Sequence, residues 1–125
     1  MTDQVDNSLE ADVFARDCSS RETLQDVTGR WGLLVLAALA EGSYRFNALR
    51  RRVDGVSERM LSQTLQNLER DGMLTRTVLE AIPPKVEYEL TPLGREIAQR
   101  LHGLIELVQS NMDVVYAARA AYDNQ

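Results

Sequence analysis

Five arginines (Arg45, Arg50, Arg51, Arg52 and Arg59) fall within fifteen residues, against only two carboxylates, Asp54 and Glu58. Ser57, Met60, Ser62, Gln63 and Gln66 lie around and just after the last of them. A guanidinium fork fits phosphate oxygens or the guanine edge, a carboxamide pairs with adenine, and a hydroxyl donates to phosphate. Lys85, behind the pair Pro83-Pro84, adds one more cation. This is the chemistry of recognition, not of bond making. The sequence has no glycine-rich phosphate loop, Ser-His-Asp set, paired cysteines or His-Glu zinc motif. His102 is the only histidine, without a second ligand at metal-binding spacing. No metal, no cofactor and no enzymatic activity is expected.

The net charge of −5 opposes nucleic acid at first sight. Its distribution removes the objection. Residues 1–28 hold seven acidic and two basic side chains, whereas 29–80 hold six acidic and eight basic ones. A polyanion responds to the field within about 8–10 Å, so the local cationic stretch outweighs the chain total.

These side chains need elements to hold them. Ser19 and Glu22 have the spacing of a capping box, so a helix is expected from about Ser20, with Leu24 and Val27 buried and Gly29 as a left-handed stop. A short amphipathic piece precedes it over Leu9–Arg16. Trp31–Glu41 is apolar almost all round, as a central helix is. A short extended segment, Ser43–Arg45, leads into a helix from Phe46 to about Arg52, with Phe46, Leu49 and Val53 on one stripe. Asp54-Gly55 marks a turn, and Ser57 caps a helix running to about Asp71, buried through Leu61, Leu65 and Leu68. Residues 73–80 and 85–90 alternate with a period of two and read as a hairpin whose tip is Ala81-Ile82-Pro83-Pro84. Thr91-Pro92 opens a last helix over roughly 92–120. Its stripe of Ile97, Leu101, Leu104, Val108, Met112 and Val115 is a near-heptad seam that asks for a second copy.

Two short helices, a tight turn and a hairpin make a mainly α winged helix-turn-helix with a small β-hairpin wing. Such a unit lays its second helix in the major groove while the flanking parts meet phosphates. The expected division is an N-terminal arm with a short dimerisation helix over 1–17, a DNA-binding core over 18–91 and a C-terminal dimerisation helix over 92–125. The rival reading, a winged helix used only for protein contacts, suits the acidic total.

The residues Gly29-Arg30-Trp31, Tyr44 to Arg51, Gly55-Val56-Ser57, Met60 to Leu65, Leu68 to Gly72, Pro83 to Tyr88 and Leu90 to Gly94 resemble the HxlR-type bacterial transcription regulators. The resemblance runs unbroken over about 18–100. It implies a homodimeric repressor on double-stranded operator DNA, with Ser57 to Gln66 in the major groove and Lys85 at the minor groove. The sequence departs from the family at Thr64, where Arg or Lys is frequent, and at Ser19, where proline usually follows the cysteine. The resemblance also marks Cys18 as a candidate sensor of oxidants or electrophiles. A helix N-terminus favours its thiolate, while Asp17 and Glu22 oppose it. Phe14, Trp31, Met112 and Tyr116 are candidates for a small-molecule effector cavity, or plain core. One cysteine, an acidic N-terminus without a readable signal peptide and an apolar run of only Trp31–Ala40 point to a cytoplasmic address away from membranes.

Overall fold

The computed structural model describes residues 12–125. The helix expected over Leu9–Arg16 lies partly outside them, and 13–17 form turns and a bend. Helix α1 spans Ser19–Thr28 and helix α2 spans Arg30–Leu39. The capping box does not form. Cys18 is the N-cap, Ser19 is already helical, and the Glu22 carboxylate pairs instead with Arg70 at 3.5 Å. Gly29 is extended, at φ −61° and ψ 162°, and is not the expected left-handed stop. The glycines serve a close approach: a Cβ on Gly29 or Gly32 would press on the carbonyl oxygens of Gln25 and Asp26. Leu24, expected inside, is exposed, while Val27 is buried.

Strand β1 (Tyr44–Arg45) and helix α3 (Phe46–Arg52) follow, then helix α4 over Glu58–Arg70. The α3–α4 turn passes through Gly55 at φ +91°, a conformation glycine adopts without strain. Ser57 caps α4 by accepting from the Met60 N–H at 3.0 Å. Leu61, Leu65 and Leu68 repeat at i, i+4, i+7 and are buried against Val35, Leu36, Leu39 and Leu49. Helix α2 is therefore the hub of the core, as its sequence requires.

Strands β2 (Leu74–Glu80) and β3 (Lys85–Leu90) form the wing, and β1 adds to β3 in the order β1-β3-β2, all antiparallel. Tyr44 opposes Tyr88, and Leu74 opposes Leu90 beside the core. Helix α5 spans Pro92–Gln109. Thr91 Oγ1 accepts from the Gly94 N–H at 3.0 Å and donates to the Gly72 carbonyl at 2.6 Å, locking the start of α5 onto the end of α4.

The single C-terminal helix expected over 92–120 is two helices. Helix α6, Met112–Asp123, follows a break at Ser110 and Asn111. There the Ser110 hydroxyl donates to the Glu106 carbonyl at 2.7 Å and the Asn111 amide to the Leu107 carbonyl at 2.8 Å. Such side chains compete with the backbone for the last carbonyls and end the helix. The seam also divides. Leu101 is buried and Ile97 packs on the core of the protomer itself, so neither is free for a partner. Leu104 and Val108 are exposed, and Met112 and Val115 are half-buried on the last helix.

Candidate nucleic-acid interface

The α4 cap sets the interface. Because Ser57 takes up the Met60 N–H, the first turn of α4 is fixed at the surface, with Glu58, Arg59 and Met60 all exposed. The leucines on the opposite face anchor it, leaving Gln63 and Gln66 exposed and Ser62 half-buried. The Gln63 amide donates to Asn67 Oδ1 at 3.1 Å, one turn on, so its carboxamide is already held on the outer face. A concavity of about 970 Å³ opens beside this turn. Its walls come from α3 (Phe46, Asn47, Ala48, Arg51), α4 (Glu58, Arg59, Ser62) and the wing (Pro84, Lys85, Val86, Tyr88), with Arg45 at the end of β1.

The cations of this surface are not equivalent. Arg45, Arg51 and Arg59 make no ion pair among the described residues, so all three guanidinium groups keep their donors for a ligand. Arg50 donates to the Val56 carbonyl at 3.5 Å and lies 4.0 Å from Glu58, so it braces the turn. Arg52, expected among the DNA contacts, is engaged elsewhere. Its Nε donates to Glu41 at 2.8 Å and its terminal nitrogen lies 2.5 Å from the other carboxylate oxygen. Tyr44 donates a third bond to Glu41 at 2.7 Å. Arg52 first and Tyr44 second hold the Glu41 carboxyl down at about 2, and Glu41 in turn raises the Tyr44 hydroxyl. This exposed cluster therefore keeps its charges through the physiological range. Lys85 lies 3.5 Å from Glu80 across the base of the wing tip, a weak surface pair that a phosphate can replace.

A second perturbed group sits away from this surface. Asp71, at the end of α4, has a buried oxygen without a hydrogen-bond partner and faces Asp26 of α1. Burial first, then Asp26 and Glu22, push its carboxyl up to about 6.

The remaining expectations scatter. Phe14 is 91% exposed and lines a shallow site with Val13 and Leu24. Trp31 packs on the core, with Arg30 stacked 4.5 Å from its ring and its far edge beneath the Gly55 turn. Met112 and Tyr116 belong to α6. The four do not line one cavity of the protomer: Trp31 supports the turn between α3 and α4. Cys18 is buried, its Sγ 2.9 Å from Ser20 Oγ. His102 is exposed, 3.1 Å from Glu106. Sequence reading missed Asn47, which stands one helical turn before Arg51 on the concave wall; that i, i+4 spacing was the available signal.

Residues 26–116 match the HxlR-like helix-turn-helix family, a span that takes in α2 through the wing and most of the C-terminal helices. The chain belongs to this family. The HTH-type transcriptional regulator YtfH of Escherichia coli strain K12 is 49% identical over 110 residues, covering 88% of this chain and 87% of YtfH. The solved ytfH of Salmonella typhimurium superposes with a TM-score of 0.81 at 48% identity, over 86% of this chain and 96% of that one. The redox regulator HypR in its reduced form gives a TM-score of 0.72 at 36% identity, over 78% and 97%. This HxlR-family protein is thus a winged helix-turn-helix transcription regulator that binds DNA. Among its described residues, no helix is long and apolar enough to cross a membrane.

Proposed function

We propose that the protein is a homodimeric repressor that sets two copies of α4 into successive major grooves of a near-palindromic operator. The observation that carries this is the exposed first turn of α4, whose Arg59 shares one concavity with Arg45 and Arg51, three guanidinium groups that make no ion pair among the described residues. Arg59 and Gln63 are assigned to base edges, with Met60 and Gln66 beside them. Arg45, Arg51, Ser57, Ser62 and Lys85 are assigned to phosphates and sugars. Two-fold symmetry then requires half-sites about 10 bp apart, or a multiple of that. Exposed Leu104, Leu107, Val108 and Val114 supply the apolar surface for the second copy.

Bound to its operator, the dimer blocks polymerase. A change in dimer geometry misaligns the two helices and releases it. The signal is read at Cys18, the residue that caps the N-terminus of α1, in a fold shared with the redox regulator HypR. An effector gathered by Phe14, Met112 and Tyr116 would need both protomers, because one alone does not bring them together.

Selection from a random duplex pool, followed by anisotropy titration at several salt concentrations, tests the reading. The expected result is one enriched motif and a log–log salt slope of several units, since each neutralised phosphate contributes about 0.9. Failure to enrich any duplex would leave a protein-contact module. Treatment with diamide should release the wild type and spare Cys18→Ser; equal release of both removes the sensor.

A further inference from the structure

Ile82 is 92% exposed, the most exposed large apolar side chain among the described residues. It stands at the tip of the wing, followed at once by Pro83 and Pro84 and bounded by Glu80 and Lys85, whose charges pair across the base of the tip. Val78 and Leu79, further down β2, are only about half exposed, as is usual for strand residues on a two-stranded ribbon. Ile82 differs because the chain carries it outward on a rigid support, proline having no freedom in φ. A single side chain is too small a patch for a protein interface.

The position says what it meets. Pro84, Lys85 and Val86 form one wall of the concavity whose other walls are α3 and the first turn of α4. A duplex seated with α4 in its major groove therefore runs beneath the hairpin, and past the phosphates on that wall the next surface is the minor groove. Phosphates offer nothing to an isoleucine. Base planes and sugars do, and apolar side chains that enter a minor groove part the stacked bases and kink the duplex by 20–90°.

From this geometry we infer that Ile82 is an apolar wedge, pressed by the proline-stiffened wing into the minor groove beside each half-site to bend the operator. The inference rests on the DNA-binding reading above and extends it. Bending draws more phosphate onto the arginine-lined wall. It also makes the site depend on a flexible pyrimidine–purine step that α4 never touches.

The test uses the full-length protein and the duplex that the wild type enriches from a random pool, carrying a donor and an acceptor dye at its ends. Saturating wild type should raise energy transfer, and 2-aminopurine placed outside the α4 contacts should brighten at one step as it unstacks. Ile82→Ser should still bind that duplex, about tenfold more weakly, with transfer close to that of free DNA; Ile82→Leu should restore the bend. Wild type that binds without changing transfer overturns the wedge while leaving the DNA-binding reading intact. So does Ile82→Ser that bends like wild type, or one whose change is confined to self-association. A wild type that enriches no duplex removes both readings, an outcome distinct from binding without distortion.

Discussion

Arginines adjacent in sequence have different roles in space. Arg51 lines the concavity with no ion pair among the described residues, while Arg52 is tied to Glu41, which Tyr44 at the start of β1 also holds. Arg59→Ala and Gln63→Ala should each weaken binding to the selected duplex by about 1–3 kcal/mol and relax its sequence preference. Arg52→Ala should change the titration far less than Arg51→Ala; equal losses would mean that the Glu41 cluster opens on binding. The sequence made the arginine stretch legible because charge can be counted along a chain. It did not reveal which guanidinium was already engaged, because Glu41 lies eleven residues before Arg52 and reaches it only through the fold.

At the scale of elements, α1 meets the C-terminal end of α4 through an opposite pair, Glu22 with Arg70 at 3.5 Å, and a like pair, Asp26 with Asp71. The carboxyl of Asp71 is raised from its ordinary value to about 6 by burial and by Asp26. A raised acid favours the folded state when protonated, so this contribution is present at low pH and is lost as pH rises through about 6. Above that pH the ionised Asp71 opposes folding. Asp71→Asn should therefore stabilise the protein at pH 7.5 by about 1 kcal/mol, allowing for solvent screening at a half-buried site, and should flatten the melting temperature between pH 5 and 7. An unchanged pH profile would show that the pair separates in solution. The glycine contact between α1 and α2 is stricter: Gly32→Ala places a methyl against the Asp26 carbonyl and should cost about 1–3 kcal/mol or more by thermal melting. Most elements were legible, because α4 carries both a Ser57 cap and a leucine stripe, and β3 alternates cleanly. Caps and contacts were less so. Gly29 looks like a stop in sequence, and only the packing of α1 on α2 shows that it is there for want of a Cβ. The apolar seam runs through Ser110 and Asn111 without interruption, which hid the break between α5 and α6.

For the whole molecule, the apolar surface divides at Leu101. Before it, side chains of α5 complete the core of the protomer; beyond it, Leu104, Leu107 and Val108 are exposed. Leu104→Asp should leave the helical spectrum of the core intact while halving the mass seen by sedimentation; a mass equal to wild type would place the contact elsewhere. Helix α6 contributes no buried residue to its own protomer. A segment of twelve residues has little tendency to stay helical alone in water. In the proposed dimer its order comes from the second copy, so diluting the protein should unwind the tail first, and ellipticity should fall with concentration well before the domain melts. Folding of the tail and pairing of subunits would be a single equilibrium. Cellular abundance of the regulator itself would then set how many copies are shaped to read a two-fold site.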